Sequence, residues 1–316
     1  MRERSVTPGQ PPEPAPLRGA LLAALFFLLA ATVLAVLPPE TPRTPGGVPR
    51  AQAPSPPRTA PEPEPQPPPL SPAEYERLTR SLDAYLSGQD GRLSIALHDL
   101  NSGATYSYGA EETYITASLA KLNILVLLLL QADDEDRELS DHERRLAAEM
   151  IRYSDNDATD ELYARIGFDE GFARGNERLG LHATEPGAGG VWGTTRTTTA
   201  DQLRLLRAVF TEDSPLSERS RGYARELLGG VAPEQAWGVS AAAGEGDTVE
   251  LKNGWVPRSD DGDRWAVTSA GRVAGADHEY LIAVLSDHHP DYFGGIECVE
   301  HVVTAVVAAL DGEDRS

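Results

Sequence analysis

Thr116-Ala-Ser-Leu-Ala-Lys-Leu-Asn-Ile-Leu-Val-Leu-Leu-Leu-Leu130 is the stretch from which the rest of the chain is best read. Its second half is apolar at almost every position, yet far shorter than the ~20 residues that cross a bilayer. That pattern predicts a helix near 117–131 buried on all sides in a folded domain. Its first half sets Ser118 and Lys121 three positions apart, on one helix face and close to the helix N-terminus. A serine hydroxyl is a weak nucleophile until a base takes its proton. A lysine amine in an apolar setting loses enough basicity to become that base. Free backbone N–H groups at a helix start favour negative charge developing there. Serine and lysine are common residues, so this spacing means little by itself.

Two later motifs give it weight. Tyr153-Ser-Asp-Asn156 falls where one predicted helix ends and the next begins. There the Ser154 hydroxyl can relay a proton and the Asn156 amide can bind a carbonyl, although the same residues would serve as an ordinary helix cap. Glu250-Leu-Lys-Asn-Gly-Trp-Val-Pro257 carries Lys252 and Gly254 on a predicted strand.

Ser-x-x-Lys, Ser-Asp-Asn and Lys-x-Gly, in this order, resemble the motif set of the class A serine β-lactamases and penicillin-binding proteins. The resemblance covers roughly 75–310. It implies a two-lobed α+β (α/β) fold, an antiparallel sheet flanked by terminal helices with an inserted all-helical lobe. It implies that Ser118 is the nucleophile, that Lys121 and Ser154 move protons, and that Asn156, Lys252, Asn253, Gly254 and Trp255 meet the substrate. Lys252 would attract a carboxylate and Gly254 would let the substrate backbone come close. The N–H groups of Ser118 and Trp255 would form an oxyanion hole. Asn253 stands where the family has Thr or Ser, and Trp255 brings a large ring to the cleft. The candidate for the deacylating glutamate is Glu185, in His182-Ala-Thr-Glu-Pro-Gly-Ala188, a loop without the family's Arg before it and Asn after it. The 36-residue interval from Ser118 to Ser154 implies a trimmed helical lobe. No metal or cofactor is implied.

Local patterns complete the outline. Ser71-Pro-Ala-Glu opens a helix that runs to Gly88. Leu93-Ser-Ile-Ala-Leu-His-Asp-Leu100 and Thr105-Tyr-Ser-Tyr108 form a predicted hairpin. Helices are expected near 140–153, 156–166, 199–211 and 216–229, strands at 248–255, 265–273 and 280–285, and a last helix over 293–310.

The front of the chain differs in kind. Residues 19–37 form a nearly unbroken apolar run, preceded by Arg2, Arg4 and Arg18 and followed first by Glu40. The positive-inside rule places residues 1–18 in the cytoplasm as a tail and everything after Leu37 outside. A cleavable signal peptide is the rival, but Ala35-Val-Leu-Pro-Pro39 lacks a small-x-small site. The expectation is a single-pass anchor, with a secreted product if the segment is cleaved. Residues 38–72 hold 15 of the 25 prolines and read as a disordered spacer. The folded domain is then 73–316.

The net charge is −21, and residues 73–316 carry 22 basic and 44 acidic side chains. Such a body excludes nucleic acid, whose affinity comes mainly from basic contacts to phosphate. The single Cys298 allows no intramolecular disulfide; its surroundings predict a buried thiol, with pairing to His301 as the alternative. Asp287-His-His-Pro-Asp291 lacks a ligand-spaced partner for a metal, and Ser259-Asp-Asp-Gly-Asp263 reads as a hairpin turn. The expected function is a monomeric extracytoplasmic serine hydrolase. It would act through an acyl-enzyme on β-lactam or peptidoglycan-like D-Ala-D-Ala amides. The alternatives are a penicillin-binding D,D-peptidase or esterase with slow deacylation, and a catalytically weak cell-wall-binding module.

Overall fold

The computed structural model describes residues 70–312. The expected tail, anchor and most of the proline-rich spacer lie outside the described residues. The body opens with α1 (Pro72–Leu86), capped by Ser71 in a reciprocal capping box with Glu74. It continues into β1 (Arg92–Asp99) and β2 (Thr105–Tyr108), then a short β3 (Tyr114–Ile115). A helical segment follows: α2 (Ala120–Asp134), α3 (Asp141–Arg152), α4 (Asn156–Arg165) and α5 (Phe168–Arg178). After β4 (Arg196–Thr197) come α6 (Thr199–Phe210) and α7 (Glu218–Leu228), then β5 (Thr248–Arg258), β6 (Arg264–Ala274), β7 (Glu279–His289) and α8 (Tyr292–Asp311).

Five strands form one antiparallel sheet in the order β2-β1-β7-β6-β5, so β5 is an edge strand. Side chains alternate across a sheet, and the two faces feed two cores. Leu281, Ala283 and Leu285 of β7 face the helical lobe, while Tyr280, Ile282 and Val284 pack with α8. The apolar run read first from the sequence is the centre of the lobe: Leu122 and Ile124–Leu130 are all buried. At roughly 1.5–3 kcal/mol per buried aliphatic side chain, this helix is a major source of stability. α8 is long and apolar enough to cross a membrane, but its Val299, Val302, Val303 and Val306 are buried in the sheet-side core.

The two-lobed plan expected from the sequence is present. Three details differ. Ser118 lies in a separate 3-10 turn, Ala117–Leu119, rather than in the first turn of an α-helix. α5 was hidden by its glycines. Gly171 is obligatory because a Cβ would fall 1.8 Å from Ile166 O, and Gly175 lets the helix close on Leu127. The β3–β4 ribbon has two residues per strand and no pattern to read. Cys298 is buried, and the ring of His301 stacks on Tyr85 at 3.9 Å.

Candidate active site

The turn bearing Ser118 is fixed from several sides. Ala117 has φ 46°, a left-handed conformation that costs a residue with a Cβ about 1–3 kcal/mol. Thr116 N–H donates to Thr195 O (2.8 Å), and Thr116 O accepts from Thr268 Oγ1 on β6 (3.0 Å). Gly254 on the edge strand closes the third side. A Cβ there would lie 2.4 Å from Thr116 O and 2.6 Å from Leu119 N. The room made by this glycine is taken by the protein's own Ser118 turn, a packing role in addition to the one expected of it.

Lys121 follows in the first turn of α2 and is fully buried. Its Nζ lies within hydrogen-bond distance of four acceptors, more than its N–H groups can serve at once: Ser118 Oγ (3.1 Å), Ser154 Oγ (3.0 Å), Ser154 O (2.6 Å) and Asn156 Oδ1 (2.8 Å). Burial pushes its pKa down to about 8, against the upward pull of Asp155 and Asp160. Lys252 Nζ reaches the same Ser154 Oγ at 3.2 Å and its neighbour Asn253 O at 2.9 Å. Burial, and then the nearby Lys121, hold Lys252 well below the usual lysine range. Ser154 thus carries a hydroxyl between two amines, and it does so with φ 58°. Next to it, Asp155 caps α4 by accepting from Ala158 N–H (2.7 Å), which seats Asn156 as the first helical residue.

The remaining expected residues divide. Strand alternation sends Lys252 and Gly254 toward the nucleophile turn, and Asn253 and Trp255 to the other face. The Asn253 amide donates to Gln235 O (2.7 Å) and Trp237 O (3.0 Å), while its Oδ1 is buried without a partner. Its amide group ties down the neighbouring segment instead of facing a substrate. Trp255 borders the cleft, but its ring packs with Trp237 and Tyr292, with centroids 6.0 and 5.8 Å away. Glu185 also borders the cleft, held by paired backbone bonds to Arg196 (2.9 Å each). Its carboxylate makes no hydrogen bond to Ser118 or Lys121.

The cleft, about 760 Å³, is lined by Ser118 and Asn156 and by Trp192 of the loop after Glu185. Trp192 was missed in the sequence because nothing local marks it. Its indole lies over Lys121 Nζ, 4.8 Å from the ring centroid, and its Nε1 donates to Asp160 (2.7 Å). One signal for the site was available and is simple: the chain has only two lysines, Lys121 and Lys252, against 26 arginines. The acid–histidine cluster after β7 is an ion-pair network. Asp287 is gripped by Arg92 (2.7 and 3.0 Å), and His288 pairs with Asp261.

The chain matches a model of the beta-lactamase enzyme family over residues 77–144 and 142–309. It is 26% identical over 199 residues to the candidate lipoprotein LppW of Mycobacterium bovis and of Mycobacterium tuberculosis, a match covering 61% of this chain. The chain spans 62% of the length of those curated relatives. Among solved structures it resembles PBP-A (TM-score 0.66, 21% identity, 78% of this chain and 99% of that one). It also resembles the TLA-1 extended-spectrum β-lactamase (TM-score 0.67, 16% identity, 75% and 99%). A class A β-lactamase representative from Bacteroides cellulosilyticus is similar too (TM-score 0.65, 15% identity, 76% and 99%). At these identities the structural likeness is one of fold. The family match, by contrast, runs through nearly the whole described body, and this chain belongs to the beta-lactamase enzyme family.

Proposed function

We propose that this chain is a serine hydrolase that forms an acyl-enzyme at Ser118 on β-lactam or D-Ala-D-Ala-like amides. The observation that carries this reading is the buried amine of Lys121, 3.1 Å from Ser118 Oγ and 3.0 Å from Ser154 Oγ. Lys121 takes the hydroxyl proton as Ser118 Oγ bonds to the carbonyl carbon. The C–N bond then breaks, and the leaving nitrogen receives a proton through Ser154. The Ser118 and Trp255 N–H groups receive the oxyanion. Asn156 keeps its Nδ2 for a substrate carbonyl, since its Oδ1 is held by Lys121. Lys252 lies behind Ser154 without a carboxylate partner among the described residues, so an arriving substrate carboxylate would favour its ammonium form.

Slow deacylation fits the site better than fast turnover. The Glu185 carboxylate touches neither Ser118 nor Lys121, and an indole lies over the amine. PBP-A, a structural neighbour, has a mutant captured as an acyl-enzyme with penicillin-G. The full chain incubated with a chromogenic cephalosporin tests these readings by absorbance and intact mass. A lasting adduct, absent in Ser118→Ala and unchanged in lifetime by Glu185→Gln, is the expected result. Rapid turnover would instead indicate an efficient β-lactamase. Neither adduct nor turnover from folded protein would sink both and leave the binding module.

The body is placed outside the cytoplasm on the arginine-flanked apolar run at 19–37. A relative named as a candidate lipoprotein agrees with attachment to a membrane. Protease added to intact cells should digest the body; complete protection would overturn this topology.

A further inference from the structure

We infer that Trp192, anchored by Asp160, is a positioning residue: its ring caps Lys121 and keeps water from the ester formed at Ser118. This rests on the reading of Ser118 as nucleophile and Lys121 as base. Four observations carry it. The indole centroid is 4.8 Å from Lys121 Nζ. Trp192 borders the cleft, whereas Lys121 is fully buried and does not. Among the described residues the hydrogen-bond partners of Nζ belong to Ser118, Ser154 and Asn156, and the indole is a further group lying over the amine. Finally, Nε1 donates to the Asp160 carboxylate at 2.7 Å.

Asp160 stands four positions after Asn156 on α4. Residues at that spacing share a helix face, so one face of one helix holds the base and also anchors its cap. The charged groups facing Lys121 are Lys252 from β5 and Asp155 and Asp160 from α4. Attraction between an ammonium and an indole face favours the charged amine. Exclusion of water favours the neutral one. The amine lies low, near 8, so exclusion prevails.

The consequence concerns the second half of the reaction. Hydrolysis of the ester needs a water that gives its proton to a base as its oxygen bonds to the carbonyl carbon, after which Ser118 Oγ leaves and takes a proton. Lys121 is the base within hydrogen-bond distance of Ser118, and the ring over its amine belongs to a residue that lines the same cleft. Acylation needs no such access, because Ser118 already bonds directly to Lys121. The cap therefore permits formation of the acyl-enzyme and slows its loss.

The test uses the full chain as wild type, Trp192→Ala, Trp192→Phe and Asp160→Ala. Adduct lifetime after acylation by a chromogenic cephalosporin is followed by intact mass. In parallel, acetic anhydride labels the two lysines competitively across a pH series, read by peptide mass. In Trp192→Ala the adduct lifetime should fall about tenfold or more, and Lys121 labelling should rise severalfold relative to Lys252. Trp192→Phe keeps a ring but loses the Nε1–H that bonds to Asp160, so both readouts should move only part of the way from wild type toward Trp192→Ala. Asp160→Ala frees the anchor and should shift both in the same direction as Trp192→Ala; it decides the matter if Trp192→Ala does not fold. Unchanged lifetime and labelling in the folded variants would overturn the cap. If no variant is acylated, the reading of Ser118 fails, while the labelling still decides whether Trp192 covers Lys121.

Discussion

Lys121 and Lys252 carry the only side-chain amines in the chain, and both are buried around the hydroxyl of Ser154. An arginine is always charged and could not take a proton from Ser118. The chain's other 26 Lys/Arg-type cations are all arginines, so its two titratable side-chain amines are both in the candidate site. The neighbouring Gly254 is equally constrained, though by packing. Gly254→Ala would set a Cβ against two backbone atoms, Thr116 O and Leu119 N, which cannot rotate away. A loss of about 3 kcal/mol in urea unfolding is expected, at the upper end for overpacking. Acylation should be lost with it, because the turn carrying Ser118 must move. A variant with normal stability and normal acylation would show that the strand is not seated against that turn.

Among the elements, α2 was legible because every side of it is buried, and eight apolar residues in the nine positions 122–130 cannot be misread. Ser118 and Lys121 were legible for the same local reason, since a spacing of three brings side chains together on any helical turn. α5 was not, because its glycines answer contacts with Ile166 and Leu127 that lie outside its own sequence. On β5 the sequence identified the strand, but the jobs of its residues depend on which face meets which neighbour. Lys252 faces Ser154, whereas Asn253 donates to the carbonyls of Gln235 and Trp237, 18 and 16 positions away along the chain. Asn253 looked like a change of substrate contact; it is a tie between the edge strand and the 3-10 segments beside it.

For the whole molecule, the buried amines couple stability to pH. Lys121 has a folded pKa of about 8 against an ordinary 10.5, so between these values the unfolded chain binds more protons. Stability must then rise with pH through that window. Tyr85, Tyr106 and Tyr108 act oppositely above pH 10, because burial holds their hydroxyls up near 12. Lys121 alone should make stability in urea unfolding about 2 kcal/mol higher at pH 9.5 than at 7.5; Lys252, also held low, adds to the rise, so Lys121→Met should reduce it without abolishing it. A wild-type stability that falls over this interval would show that Lys121 stays charged in the fold.

The sequence by itself determined the buried central helix, the strand-and-helix outline of the body, the order of the three motifs and the pairing of Ser118 with Lys121. These follow from periodicity and short spacing, which act along the chain. The tertiary structure decided the rest. It brought Ser154, 33 residues from Lys121, between two amines. It seated Gly254 against the nucleophile turn and turned Asn253 away from the cleft. It also laid Trp192 over the base. Those placements depend on how a helical lobe packs beside an edge strand, and contacts between distant segments leave no periodic trace in either one.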